Sequence, residues 1–228
     1  MGINIKAVTD EEIVKPLSKW NLRTGRSRIL PSFLIVGLQK SGSTSLVQYL
    51  NKHKQIIPAL RKDIYFFNNL NRYKKGEEFY RAFFPLKSFQ KYINLKRGLN
   101  TITFDGTPNY FDSPGAALRI KTMLPDAKII IMLRNPIARA YSNYNMAVKF
   151  GFETLSFYDA ITNEEERINW FEKSEFFNGH NFVYQRMAYK KRGEYSTFLP
   201  EWQSLFGKNL YIDFTENLSA NPKIAYAK

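Results

Sequence analysis

The sequence contains no cysteine and only two histidines, His53 and His180. Without cysteine the chain has no disulfide bond, no thiolate nucleophile and no zinc–thiolate site. Two isolated histidines also argue against a histidine-rich metal centre. We therefore expect a chemistry that requires no metal.

The chain also lacks long apolar runs and is poor in acidic residues. No stretch approaches the roughly 20 apolar residues of a membrane-spanning helix, and residues 1–16 contain no apolar segment of the signal-peptide type. We therefore expect a cytoplasmic protein without a membrane span. The 34 lysines and arginines outnumber the 20 aspartates and glutamates, which gives a net charge of +14. This excess indicates an anionic partner such as a phosphorylated nucleotide, an acidic glycan, nucleic acid or an anionic membrane, or else a positively charged surface that serves solubility alone.

A strand, a loop and a helix are predicted between residues 31 and 53. Residues 33–36 form an apolar run of strand-forming residues, and residues 37–42 are small and polar. Leu46, Val47 and Leu50 then recur at helical spacing. Such a loop collects backbone N–H groups at a helix N-terminus, where they favour a phosphate-like anion, and Lys40 adds a full positive charge.

The loop departs from the Walker A pattern G-x-x-x-x-G-K-[ST]. Gly37 and Gly42 have the right spacing, but Ser43 stands where the lysine should be. A nucleoside triphosphatase or nucleotide kinase is therefore disfavoured. The order Gly-Leu-Gln-Lys-Ser-Gly-Ser-Thr instead resembles the loop with which sulfotransferases bind the 5′-phosphosulfate of 3′-phosphoadenosine 5′-phosphosulfate (PAPS). The resemblance implies a cofactor-binding role for the residues of this loop, which are Gln39, Lys40, Ser41, Gly42, Ser43 and Thr44.

Strands and helices alternate along the rest of the chain, which predicts an α/β fold with a central, mainly parallel sheet. The clearest strand is the apolar run 128–133, followed by a helix that begins near residue 136. Further predictions are a helix at 76–84, a basic connector at 89–100, a strand at 101–105, a helix capped by Asp112 or Ser113, an amphipathic helix at 152–170, a helix at 195–206 and a strand at 209–214. Ligands bind at the carboxyl ends of such strands. Arg134 and Ser142 flank the turn after the apolar strand, so that they are candidates to hold a second phosphate.

Several ordered motifs resemble the sulfotransferases of the heparan sulfate class, most closely the sulfotransferase part of heparan sulfate N-deacetylase/N-sulfotransferase. The matching segments are the Lys40 loop, residues 63–68, residues 109–113, residues 134–142 and residues 193–202. The resemblance implies a P-loop-like three-layer fold over residues 31–228, preceded by an N-terminal arm at 1–30. It also implies that Arg134 and Ser142 hold the 3′-phosphate of PAPS.

The expected reaction transfers a sulfonate group from PAPS to a hydroxyl or amine of a carbohydrate-like acceptor. Negative charge grows on the departing phosphate, and Lys40 is the candidate that stabilises it. Asp63 matches the position of the family's catalytic glutamate and is the candidate base, with Asp105 as the next carboxylate. The resemblance suggests Lys62, Asn109 and Tyr110 as acceptor-binding residues.

Two departures from the family pattern keep an alternative open. Gly106 stands where many relatives carry a lysine, and the sequence ends at Lys228, before the family's basic loop that covers the nucleotide. A non-catalytic fragment that binds PAPS or 3′-phosphoadenosine 5′-phosphate (PAP) is therefore the main rival, with a P-loop nucleotide kinase behind it. A nucleic-acid-binding module is not indicated, because no RNP-type motif occurs.

Overall fold

The structure is a computed structural model that describes residues 16–172 and 182–221. Residues 1–15 of the predicted arm and the predicted loop around His180 lie outside the described residues.

Four parallel strands form the central sheet. They are β1 (Phe33–Gly37), β2 (Phe104–Gly106), β3 (Lys128–Leu133) and β4 (Leu210–Phe214), in the spatial order β2-β1-β3-β4. Ile35 in β1 lies opposite Gly106 on one side and Ile130 on the other. The predicted parallel sheet is confirmed, and three of its strands, β1, β3 and β4, occur where the sequence pattern placed them. The strand predicted at 101–105 begins later, at Phe104, and ends at Gly106.

Both faces of the sheet are buried, because successive side chains of a strand point to opposite sides. Leu34 and Val36 pack into a large cluster that contains the aromatic residues of the 66–84 region and of the last long helix. Phe33 and Ile35 pack on the other side against Leu46 and neighbouring residues. Burying each such side chain contributes about 1.5–3 kcal/mol. The sheet is therefore the middle layer between two layers of helices.

Helices connect the strands and cover both faces of the sheet. Within the described residues they are, in chain order, α1 (Lys19–Arg23), α2 (Ser43–Leu50), α3 (Leu70–Tyr73), α4 (Gly76–Arg81), α5 (Lys87–Arg97), α6 (Ala116–Met123), α7 (Pro136–Lys149), α8 (Phe157–Thr162), α9 (Glu164–Glu172), α10 (Phe182–Met187), α11 (Tyr195–Phe206) and α12 (Thr215–Ala220).

Two predictions about helix extent were wrong in detail. The supposed basic connector at 89–100 is mostly the helix α5, whose exposed Phe89 and Tyr92 gave no clear apolar face in the sequence. The predicted helix at 152–170 is two helices, α8 and α9, which are separated at Asn163.

The start of α6 also differs from the prediction. The helix begins at Ala116 after Gly115, whose φ of 69° lies in the left-handed region. Asp112 or Ser113 was predicted to cap this helix. The Asp112 carboxylate instead pairs with the buried Arg192 at 2.5 Å, and the Ser113 hydroxyl donates to the Asn109 carbonyl at 2.5 Å. An unpaired buried charge costs about 3–5 kcal/mol. A lost helix cap costs only about 1 kcal/mol, so pairing with Arg192 is the more favourable use of the carboxylate.

Candidate active site

Four loops meet at the carboxyl edge of the sheet, because all four strands run in the same direction. The loop after β1 carries Lys40, Arg134 follows β3, Thr107 follows β2 and Thr215 follows β4. Asp63 joins this edge through its backbone, because its N–H donates to the carbonyl of Gly106 at 3.2 Å. The strand order therefore places the Lys40 loop between Asp63 on the β2 side and Arg134 on the β3 side. Two strand spacings of about 4.8 Å separate those flanking positions by about 10 Å.

The loop between β1 and α2 depends on its two glycines. Gly37 has a φ of 141°, and a Cβ atom there would lie 2.3 Å from the carbonyl oxygen of Met132. Gly42 has a φ of 76°, and its Cβ would lie 2.8 Å from the side chain of Thr215. Lys40 itself adopts a left-handed backbone with a φ of 73°, which is uncommon for a residue other than glycine. The backbone thus turns tightly here, with the lysine at the turn.

Two polar side chains of this loop are buried without a hydrogen-bond partner. They are the Gln39 amide oxygen and the Ser41 hydroxyl, and Ser41 has no exposed surface. The first N–H groups of α2, at Ser43 and Thr44, have no acceptor within their own helix. A phosphate or sulfonate oxygen is the acceptor that such a hydroxyl and such N–H groups lack. The loop therefore fits the anionic end of a nucleotide such as PAPS.

Arg134 contacts the same loop from β3. Its Nη1 donates to the backbone carbonyl of Lys40 at 3.2 Å, and the side chain is partly exposed. The backbone of Arg134 is held in turn by Tyr195, whose hydroxyl donates to the Arg134 carbonyl at 2.7 Å. Ser142 lies two turns into α7, the helix that follows Arg134, and is partly exposed.

Sequence reasoning missed the contribution of α12. Thr215 donates to the carbonyl of Leu133 at 3.0 Å, and a Glu216 carboxylate oxygen accepts from the N–H of Asn135 at 2.8 Å. These contacts hold the turn that carries Arg134. The sequence could have indicated this role, because Thr215 directly follows the strand predicted at 209–214 and so lies at the carboxyl edge of the sheet.

Lys62 and Asp63 form an ion pair at the β2 side of the edge. Lys62 Nζ lies 3.1 Å from both carboxylate oxygens of Asp63, and each side chain is about one-third exposed or less. The Lys62 stem lies over Gly106, where a Cβ atom would be 3.8 Å from Lys62 Cγ. The aliphatic part of Lys62 therefore lies beside the glycine, while its ammonium contacts Asp63.

The two other predicted acceptor residues lie beneath the surface. Asn109 is buried and donates to the Gln185 side-chain oxygen at 3.1 Å. Tyr110 has no exposed surface, and its hydroxyl donates to Asp105 at 3.0 Å. Asp105 is fully buried as well, so this second candidate base has no surface with which to contact an acceptor. Burial and the nearby Asp63 carboxylate raise the pKa of Tyr65 to about 12, which keeps its hydroxyl protonated at neutral pH.

Neither a metal centre nor a membrane-spanning helix occurs in the described part of the chain. Within 16–172 and 182–221 no cluster of three or more histidine, aspartate or glutamate side chains is placed to hold a metal ion. No helix in the same residues has the length and apolar character needed to cross a membrane.

The family model described as "Sulfotransferase family" matches residues 31–180, which is well over half of the chain. The chain belongs to the sulfotransferase family. The resemblance inferred from the motifs is confirmed by this match.

Curated relatives of this sulfotransferase bear names of two kinds. The membrane-associated sulfotransferase kil1 of Dictyostelium discoideum is 36% identical over 126 residues, covering 55% of this chain and 25% of the relative. The bifunctional heparan sulfate N-deacetylase/N-sulfotransferase 2 of Bos taurus is 33% identical over 203 residues, covering 85% of this chain and 21% of the relative. The chain thus spans a quarter or less of the length of these relatives.

One solved structure confirms the fold assignment. The sulfotransferase from Alicyclobacillus acidocaldarius is 29% identical and superposes with a TM-score of 0.65, over 87% of this chain and 78% of that one. The P-loop-like sulfotransferase fold with a parallel sheet between helices is therefore shown.

Proposed function

We propose that this sulfotransferase transfers a sulfonate group from PAPS to a hydroxyl or amine of a carbohydrate acceptor. The observation that carries the proposal is the β1–α2 loop at the edge of the sheet, which contains Lys40, a buried Ser41 hydroxyl without a partner and the first N–H groups of α2. The membership in the family and the heparan sulfate enzymes among the relatives support the reaction and the acceptor class.

In this proposal the nucleotide lies across the ends of β1 and β3. Gln39, Ser41 and the N–H groups of Gly42, Ser43 and Thr44 bind the 5′-phosphosulfate, and Lys40 contributes the cation. Arg134 and Ser142 bind the 3′-phosphate. A guanidinium suits this role because it donates two parallel hydrogen bonds to a phosphate. Arg134 retains further N–H groups beyond the one that binds the Lys40 carbonyl.

The chemical step is an in-line displacement at sulfur. The acceptor oxygen or nitrogen forms the new bond to sulfur while the bond from sulfur to the 5′-phosphate oxygen breaks. Asp63 takes the acceptor proton, and the electron pair of the broken bond stays on the phosphate of PAP. Lys40 stabilises that growing negative charge, which makes the charge most important in the transition state.

Lys62 completes the acceptor side of the proposed site. Its ammonium donates to both oxygens of Asp63 at 3.1 Å, which orients the carboxylate. When an acceptor enters, Lys62 is also placed to attract an acidic glycan. Asn109 is buried, so in this proposal it does not touch the acceptor and supports the acceptor side through its hydrogen bond to Gln185.

The deciding experiment measures transfer from radiolabelled PAPS to polysaccharide. A heparan-type chain with free amino groups and the same chain with those groups acetylated are compared, with ATP and a polysaccharide-free reaction as controls. Label in either polysaccharide supports the proposal, and the ratio between the two distinguishes amine from hydroxyl acceptors. PAP binding without any transfer would instead favour the non-catalytic binding protein, whereas hydrolysis of ATP would favour a kinase or NTPase.

A further inference from the structure

The carboxylate of Asp105 on β2 is fully buried and has no part in the proposed transfer. It accepts three hydrogen bonds, from the hydroxyls of Thr107 at 2.6 Å, Tyr80 at 2.9 Å and Tyr110 at 3.0 Å. Burial raises its pKa to about 6, against the effect of these hydrogen bonds, so the group is ionised at neutral pH. An ionised carboxylate is an acceptor only, and each of the three hydroxyls must therefore donate its proton to it.

Two of these hydroxyls have a second partner in the segment that carries Asp63. The Ile64 N–H donates to Thr107 Oγ1 at 2.9 Å, and the Phe66 N–H donates to the Tyr110 hydroxyl at 3.0 Å. A hydroxyl has one proton and two lone pairs. Because Asp105 takes the proton in both cases, the lone pairs face the two backbone N–H groups. The buried carboxylate thus orients both hydroxyls as acceptors for the backbone.

The segment 63–66 needs such support because its backbone is strained. Asp63 and Tyr65 have φ values of 57° and 54°, in the left-handed region. For residues other than glycine this costs about 1–2 kcal/mol each. Strained conformations of this kind persist where the surroundings fix them. The two N–H groups that Thr107 and Tyr110 bind belong to Ile64 and Phe66, the residues that directly follow the two strained positions.

We propose that Asp105 is a positioning residue that acts through Thr107 and Tyr110 to hold residues 63–66 in the conformation that presents Asp63 to the acceptor. This inference rests on the proposed role of Asp63 as the base. If the hydroxyls lose their orientation, the segment relaxes from its strained backbone and the Asp63 carboxylate moves from the acceptor. A displacement of about 1 Å can lower a rate about 100-fold.

The two buried tyrosines provide a matched pair of variants. Tyr80 and Tyr110 both have no exposed surface and donate to the same Asp105 oxygen. The Tyr110 hydroxyl also binds the Phe66 N–H, whereas in the part of the chain that the structure describes the Tyr80 hydroxyl has no hydrogen bond to residues 63–66. We expect Tyr110→Phe to lower kcat about 10- to 100-fold with little change in the KM for PAPS, and Tyr80→Phe to retain kcat within about threefold. Both variants remove one hydrogen bond from Asp105, and only Tyr110→Phe also removes the contact with the Phe66 N–H. Equal losses of kcat would show that the Phe66 contact does not matter, and would overturn the proposal.

Thr107 allows a rescue experiment at the other contact. Thr107→Val removes the hydroxyl with little change of shape, and Thr107→Ser keeps it. We expect a loss of kcat in Thr107→Val and wild-type kcat within about threefold in Thr107→Ser. A loss in Thr107→Ser as large as that in Thr107→Val would show that the methyl group and packing matter instead.

A double-mutant cycle separates failure of this inference from failure of the proposed function. We expect Asp105→Asn to lower kcat in the wild-type background. In a protein that already carries Asp63→Asn it should add less than about a threefold loss, because Asp105 acts on kcat only through the position of the Asp63 carboxylate. Multiplying losses would overturn the positioning role while leaving Asp63 as the base. Unchanged kcat in Asp63→Asn would overturn the base assignment itself. Should Asp105→Asn fail to fold, the cycle is run with Tyr110→Phe in its place.

Discussion

The Arg134 guanidinium donates a hydrogen bond from Nη1 to the backbone carbonyl of Lys40 at 3.2 Å. The residue proposed to bind the 3′-phosphate thus holds the backbone of the residue proposed to act at the 5′ end. Lys40 has a left-handed backbone, so this contact also stabilises an uncommon conformation. The two ends of the proposed nucleotide site are therefore linked through the protein.

Arg134→Ala should abolish the preference for PAP over adenosine 5′-phosphate. We expect PAP to bind the wild-type protein more tightly than adenosine 5′-phosphate, because a charge-assisted contact to the 3′-phosphate contributes about 1.5–3 kcal/mol. Arg134→Ala should bring the two affinities together, as measured by isothermal titration calorimetry. Arg26→Ala, at an exposed arginine paired with Glu78, is the control and should keep the preference. Equal affinities in the wild-type protein would refute the 3′-phosphate assignment.

Lys40→Ala should impair turnover more than binding. The lysine interacts most strongly with the phosphate as it leaves, and loss of one such electrostatic donor typically lowers the rate by about 10²–10³. The measurement compares kcat with the dissociation constant for PAP. Lys52→Ala, at an exposed lysine after α2, is a matched charge control. If kcat in Lys40→Ala stayed within about threefold of wild type, Lys40 would have no part in the chemical step.

Asp63→Asn should retain nucleotide affinity while losing activity. The change preserves shape and removes basicity, and a missing general base typically costs about 10²–10⁴ in rate. The variant also loses the ionic part of its contact with Lys62. PAP titration and acceptor-dependent turnover are measured on the same preparation. Turnover that is unchanged across the pH range would place the base at another residue.

Gly37→Ala should destabilise the fold strongly. A Cβ atom at Gly37 would lie 2.3 Å from the Met132 carbonyl oxygen, so two central strands would have to separate. Gly76 is the matched control, because its φ of 78° is also positive but a Cβ there meets nothing within 4 Å. Gly76→Ala should therefore cost only the backbone strain of about 1–2 kcal/mol. Urea denaturation should show a clearly larger loss for Gly37→Ala, and equal losses would contradict the close packing of β1 on β3.

Asp105 should make the protein less stable as the pH rises. Its pKa is raised from 3.8 to about 6 by burial, so the fold favours the protonated form. This contribution is fully present below the unfolded value of 3.8 and is lost as the pH rises through about 6. At about 1.4 kcal/mol for each pH unit, the loss amounts to about 3 kcal/mol. The free energy of unfolding is measured at about pH 4 and about pH 7 for wild type and Asp105→Asn. Between these two pH values the difference between the two proteins should shift by most of this amount, about 2 kcal/mol, against the wild type. A constant difference would contradict the raised pKa.

Local sequence patterns determined many of the elements of this protein and its proposed nucleotide-binding loop. The apolar run 128–133 is β3, and the spacing of Leu199, Trp202 and Phe206 is one face of α11. These two predictions are confirmed because a strand buried on both faces leaves a continuous apolar run in the sequence, and a helix with one apolar face leaves apolar residues at helical spacing. The Lys40 loop was recognisable for the same reason, since its glycines, lysine and hydroxyls are contiguous.

Contacts between distant parts of the chain were decided only by the tertiary structure. No local pattern shows that Arg134 reaches the Lys40 carbonyl, that Tyr195 fixes Arg134, or that Asp112 pairs with Arg192. Asp105 resembled a catalytic carboxylate in the sequence, and its burial under three hydroxyls makes it a support for the Asp63 segment instead. The reason is physical: the parallel sheet brings the ends of strands from four separate regions to one edge, and hydrogen bonds there depend on side-chain directions that packing alone fixes.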